Sequence, residues 1–296
     1  MDIVPISAIP CDLGESLYWD PHAMRLNWID AWKTTIYAFD PETGAISAVD
    51  LTSALAGRPI GSIASDAAGG MISGVKDGFY HLDLEQGRAS LMAAVESDRP
   101  STNRLNDGKC DRAGRFWCAS ANTDHRTASG ALWRLERGGA TALMQDGLVV
   151  GNGIAWSADD RLMYLADTVV GTVWRYDFDI ATGEIANRRP FISTAPIQGA
   201  VDGATIDSDG CYWAALFRGG AIAQFDPDGK LMRHIRLPIL HPTICAFGGS
   251  NLDVLYAASA SRFRDEAQRS TQPLAGHVFA IHGLGARGIP EPRFLA

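Results

Sequence analysis

The chain has 296 residues, of which 46% are hydrophobic and 20% charged, and its formal net charge is −8. A chain of this length can bury a large core, and all-β barrels and propellers reach it as one unit. The acidic balance argues against nucleic acid or an anionic membrane as partner, since both select a basic face.

In chain order, one module recurs about every 45 residues, the interval of a propeller blade. It comprises a turn, an aromatic-rich strand, a loop, a second strand and a closing turn with Gly. Its instances begin at Arg25 (RLNWIDAWKTTIYAFDPETG), Gly69 (GGMISGVKDGFYHLDLEQG) and Gly114 (GRFWCASANTDHRTASGALWRLERGG). Three more begin at Arg161 (RLMYLADTVVGTVWRYDFDIATGE), Gly210 (GCYWAALFRGGAIAQFDPDGK) and Asp253 (DVLYAASASRFRDEAQRSTQPLAGHVFAIHG). Turn chemistry such as PETG, ATGE and PDGK separates the strands, and weaker strands such as IGSIASDAAGG lie between instances. Six repeats of three to four short strands predict an all-β, six-bladed β-propeller spanning 1–296 as one domain. The strand-like N-terminal segment at residues 2–9 is expected to complete the last blade and close the ring.

No uninterrupted apolar run is long enough for a bilayer span, and no basic-then-apolar leader is present. The expected location is the cytoplasm, as a monomer or weak homo-oligomer. Five scattered cysteines, Cys11, Cys110, Cys118, Cys211 and Cys245, contain no CxxC pair and read as small core residues. The seven histidines form no HxxxH pair.

Four segments place polar residues where an inner strand should begin with apolar ones. In CDLGESLYWD, Glu15 follows Gly14. STNRLNDGKCD carries Asn103, Arg104, Asn106 and Asp107 before Gly108; NDG is a common turn signal, while an arginine between amides is a rigid fork of donors for oxygen recognition. In VGNGIAWSADD, Asn152 stands between two glycines, and in AVDGATIDSDG, Asp202 precedes Gly203. Taken singly, each is a turn signal. Glu15, Asn152 and Asp202, however, fall at equivalent starts in three blades, so a propeller would gather them on its axis. Two carboxylates and an amide oxygen form a set of net charge about −2 that suits one divalent cation in the central channel. Calcium or zinc is expected there, with magnesium or manganese also suited. Three protein ligands leave room for water and substrate.

These segments also carry a resemblance. LGE at Leu13–Glu15, NRLNDGKCDRAGRFW at Asn103–Trp117, GNGIAWS at Gly151–Ser157 and VDGATIDSDGCYW at Val201–Trp213 resemble the regucalcin/gluconolactonase family in order and spacing. The resemblance runs through nearly the whole chain. It implies a six-bladed propeller with one metal held by Glu15, Asn152 and Asp202, and substrate contacts from Arg104 and Asn106. Counting along the matched segment adds Asp124, where animal members usually carry glutamate. Ser16 departs from the glycine many members have, and NTDHRTAS around His125 and Arg126 looks like an insertion reshaping one wall.

The expected activity is hydrolysis of a sugar lactone to the aldonic acid. Asp202 both ligates and takes the proton of water; Arg104, Asn106 and Asp124 orient the sugar; Asn103 contacts substrate or water. The pair His125 and Arg126 is compatible with an anionic substituent on the substrate. Trp32, after the first inner strand, is a candidate pocket residue. An aryl-esterase or organophosphatase-type propeller and a non-enzymatic calcium-binding propeller are the alternatives. A strictosidine-synthase-like propeller would lack the acidic set.

Overall fold

The computed structural model describes residues 1–295. They form six four-stranded antiparallel sheets. The first sheet runs Gly14–Asp20, Arg25–Asp30, Thr35–Phe39 and Ile46–Asp50. The next four begin with the inner strands Ile60–Ser65, Asn103–Cys110, Gly151–Trp156 and Ala200–Ile206. The sixth orders Pro242–Gly248, Val254–Ser259 and Phe279–His282, and then takes its outer strand, Asp2–Pro5, from the N-terminus. Asp2 pairs with His282 and Pro5 with Phe279, so the predicted closure is present. Each inner strand packs on the inner strands of both neighbouring blades, and Gly14–Asp20 meets Pro242–Gly248 to complete the ring.

The six repeat instances read from sequence begin at the second strand of each blade, from Arg25–Asp30 to Val254–Ser259, and run on through the third. Inner strands are buried on both faces and therefore read as continuous buried runs, as in Ile60–Ser65. Outer strands such as Leu231–Arg236 are largely exposed. Between blades the core is aromatic: Trp19, Trp28, Trp117 and Trp213 are almost fully buried. All five cysteines are buried and free. No helix among the described residues is long and apolar enough to cross a membrane.

Two repeated aspartate devices shape the blades. In DRAGRFW and DSDGCYW, Asp111 and Asp207 each accept the indole N–H six residues on, from Trp117 and Trp213, both at 2.8 Å. The same carboxylates accept turn amides from Arg115 and Cys211, so one side chain fixes both the hairpin turn and a core tryptophan. The second device is Asp30 and Asp167, each ending a second strand. Asp30 accepts the amides of Asp12 (2.8 Å) and Leu13 (3.2 Å); Asp167 accepts those of Val149 (2.8 Å) and Val150 (3.2 Å). Both latches pin the backbone two residues ahead of a polar position, Glu15 in one case and Asn152 in the other.

Candidate active site

Every inner strand breaks register with its neighbour at the same height. The interruptions lie between Glu15 and Tyr18, Ile60 and Ser62, Leu105 and Gly108, Asn152 and Ala155, Val201 and Ala204, and Pro242 and Ile244. A bulge puts two residues opposite one and re-aims the side chains beside it. Glu15, Asn106, Asn152 and Asp202 all sit at or within these bulges. NDG is therefore not a turn: Asn106, Asp107 and Gly108 lie inside a strand, where the bulge uses the same conformational preferences a turn would. Ser16 occupies the left-handed region (φ 50°), and its hydroxyl oxygen accepts the Ile63 amide at 2.8 Å, stitching the first blade to the second. Gly153 also has positive φ (59°), and a Cβ there would collide with the Tyr212 hydroxyl, which donates to the Gly153 carbonyl.

The bulges open into a cavity of about 700 Å³ at one end of the axis. Half-buried Glu15 and Arg104 and buried Asn106, Asn152 and Asp202 line its floor; Asp124, His125, Arg126 and Arg218 line its exposed mouth. The cavity thus contains every predicted site residue except Asn103. Asn103 is turned into the third blade, where its amide donates to Glu96 (2.7 Å) and the Ser129 carbonyl (2.8 Å) and its oxygen accepts the Ser129 hydroxyl (2.7 Å). Alternation along the strand explains this: Asn103 and Arg104 point to opposite faces. Asp124 lies at the mouth, with its carboxylate accepting the amides of Arg126 and Thr127 and the Thr127 hydroxyl. Trp32 lies beneath Arg104 and Arg262, whose guanidiniums sit 5.5 and 5.1 Å from its ring, and acts as a platform for them.

Hydrogen bonding orients the floor amides. The Thr168 hydroxyl donates to the Val201 carbonyl (2.8 Å), so toward Asn152 it can only accept, and the Asn152 amide nitrogen faces it at 2.7 Å. The Asn106 nitrogen donates to the Gly151 carbonyl (3.0 Å) and to Asn152 Oδ1 (2.7 Å). Asn152 therefore presents its oxygen to the cavity side of Asn106, with one lone pair to spare.

The charges on the floor do not balance. Glu15 is pushed well above the usual carboxylate range by burial and by Asp202 and Asp107, with Arg104 opposing. Asp202 is raised by burial and by Asp107, again against Arg104. Asp107, whose carboxylate accepts the Ile154 amide at 3.0 Å, is raised chiefly by burial. Arg104 is thus the guanidinium set against Glu15 and Asp202, and among the described residues no side-chain donor is bonded to either carboxylate. A divalent cation would satisfy both acids and the free lone pair of Asn152, so the donor set fits the ion the sequence implied. It includes an amide; among the described residues no set of three His, Cys, Asp or Glu side chains is arranged to hold a metal.

Sequence reading missed Asp30, Thr168, Asp167, Arg218 and the electrostatic role of Asp107. Asp30 and Asp167 did leave a signal: NWID and YLAD end the same strand of two repeats, each opposite the glycine that precedes a predicted ligand. Arg218, in FRGG, left none beyond its charge.

Residues 13–261 match the family model described as the SMP-30/Gluconolactonase/LRE-like region. The chain belongs to that family. It is 33% identical over 304 residues to a pentonolactonase of Haloferax volcanii, covering 99% of this chain and 98% of that one. Regucalcin of Xenopus laevis is 32% identical over 288 residues, covering 95% and 94% of the two chains. Among solved structures, a calcium-binding protein, regucalcin, from Agrobacterium tumefaciens superposes with a TM-score of 0.93 at 25% identity, over 100% of this chain and 98% of that one.

Proposed function

We propose that this family member is a divalent-metal-dependent lactonase that opens a sugar lactone to its aldonic acid. The observation that carries the reading is the unbalanced floor: two carboxylates, Asp202 buried and Glu15 half-buried, and an oriented amide oxygen facing one cavity, with one guanidinium among them. Its pentonolactonase relative supports the reaction class, and its likeness to a calcium-binding regucalcin supports a divalent cation.

A bound divalent cation supplies the charge that draws electron density from a carbonyl and acidifies water. The chain's own groups do the rest. Asp202 is buried and bonded to no side-chain donor, so it can take the proton of an attacking water. The water oxygen bonds to the acyl carbon, and the ring oxygen departs as a hydroxyl, taking that proton. Arg104 places a desolvated cation beside Glu15 and Asp202, where negative charge develops on the acyl oxygen. Asn106 orients Asn152, and Asp124 and Arg104 offer an acceptor and donors to sugar hydroxyls.

The test is acid release from metal-stripped protein with a panel of aldonolactones, re-adding calcium, zinc, magnesium or manganese. Release that returns with a cation supports the reading. A folded, cation-binding protein that opens no lactone would instead point to an esterase or a binding propeller.

A further inference from the structure

The cavity is electrically two-sided. Its buried floor is acidic, but its exposed mouth is not. Arg126 and Arg218 line the mouth beside His125, with Arg104 reaching up from the floor. Arg104 faces Glu15 and Asp202 on the floor, while Arg126 and Arg218 at the mouth form no salt bridge with a carboxylate among the described residues. In a chain of net charge −8, convergence of unpaired guanidiniums on one opening is a local reversal of sign. Asp124, the one acid at the mouth, is held ionised by the Thr127 hydroxyl and the amides of Thr127 and Arg126, so two guanidiniums stand there against one carboxylate. Burial, Arg104 and Arg218 hold the His125 imidazolium below its usual range against Asp124, the direction a net positive surrounding gives.

Arg218 is also held in place. It has positive φ (61°), a costly conformation for a residue with a Cβ. Phe217, beside it, is fixed edge-on against Phe263 (5.4 Å) and stacked obliquely on His241 (4.9 Å). The exposed Arg218 guanidinium lies 5.8 Å from the ring of this clamped Phe217, at the wall of the mouth.

We propose that the preferred substrate is an aldonolactone bearing an anionic group (carboxylate, phosphate or sulfonate) at the end remote from the lactone carbonyl, received by Arg126 and Arg218 beside His125. This rests on the lactonase reading above. With the carbonyl at the acidic floor, the remote end of a hexose-sized lactone faces the mouth. A guanidinium fork matches an oxyanion with two parallel hydrogen bonds.

The test compares kcat/KM for D-glucono-1,5-lactone, its 6-phosphate and its 6-carboxylate on the metal-loaded protein. An anionic lactone is expected to be favoured by about tenfold or more, mainly through KM, and the preference should shrink at high salt as the exposed charges are screened. Arg126→Gln and Arg218→Gln should bring the anionic-to-neutral ratio toward one, while Arg218→Lys keeps part of it. The phosphate and carboxylate arms identify the group. A neutral lactone preferred or equal, or a ratio unmoved by either glutamine variant, would overturn the inference and leave the lactonase reading standing. No lactone opened by folded, metal-loaded protein would overturn both.

Discussion

The side-chain amide of Asn106 donates to Asn152 Oδ1 at 2.7 Å across two blades. Since Thr168 takes the opposite end of the Asn152 amide, Asn152 is held like a metal-site ligand with its outer partners in place. Outer partners of this kind typically contribute ten- to hundredfold to metal affinity or activity. Asn106→Ala and Thr168→Val should each weaken cation binding by about that factor, measured by calorimetric titration. Unchanged affinity in both variants would mean Asn152 is not a ligand.

The same floor predicts a cation-dependent stability. A ligand that binds only the folded state at about a hundred times its dissociation constant stabilises it by about 2.7 kcal/mol. The melting temperature should therefore rise when calcium or zinc is returned to chelated protein. Asp202→Asn removes one of three like charges. Its chelated form should melt no lower than the chelated parent, its response to cation should fall, and its lactone hydrolysis should drop by about a thousandfold. A variant that melts much lower without metal would show that Asp202 is needed for the fold itself.

The asymmetry between what the sequence disclosed and what it hid is physical. Blade strands announce themselves because a turn such as PETG and an aromatic run such as YWAALF have local causes. Glu15, Asn152 and Asp202 were legible because each interrupts an apolar inner strand at a repeated position. Asn103 was misplaced because two adjacent strand residues face opposite ways, and the strand's phase cannot be read inside NRLND, where every residue but one is polar. Arg218 left no signal because it meets Arg126 and His125, about ninety residues away in sequence, only at the shared cavity mouth. Asp107 was hidden by chemistry shared between turns and bulges, both of which favour Asx-Gly.

Asp30 and Asp167 lead to a paired prediction. Each accepts two backbone amides immediately before a floor residue and is almost fully buried. Truncating such an acceptor leaves two amides unsatisfied and costs about 2–4 kcal/mol. Asp167→Ala should lose that stability in denaturant unfolding and also free the segment carrying Asn152, lowering cation affinity. Asp30→Ala should act the same way through Glu15. Asp207→Ala serves as the control: it loses a turn and the Trp213 bond, so it should lose stability while cation affinity is largely kept. If the control loses as much affinity as the latch variants, the latches act only through global stability.

Asp20 ties the first blade to the second blade and to the C-terminal segment, and its effect depends on pH. Its carboxylate accepts the amides of His22 (2.8 Å) and Ala23 (3.0 Å) and the Ser65 hydroxyl (2.9 Å), with Arg293 at 3.6 Å. Burial opposes ionisation, but these donors outweigh it and hold the carboxyl below its usual range. A group with a lowered folded-state value stabilises the fold above its unfolded value of about 3.9, and that contribution is lost as pH falls through the lower folded value. Asp20→Asn should therefore be less stable than the parent by about 1–2 kcal/mol near neutral pH. The gap should narrow steadily as pH falls below about 4, where the parent carboxyl is also taking up a proton. Urea unfolding of both proteins across about pH 3 to 7 measures it; a gap that stays constant over that range would assign the cost to altered hydrogen-bond geometry and not to charge.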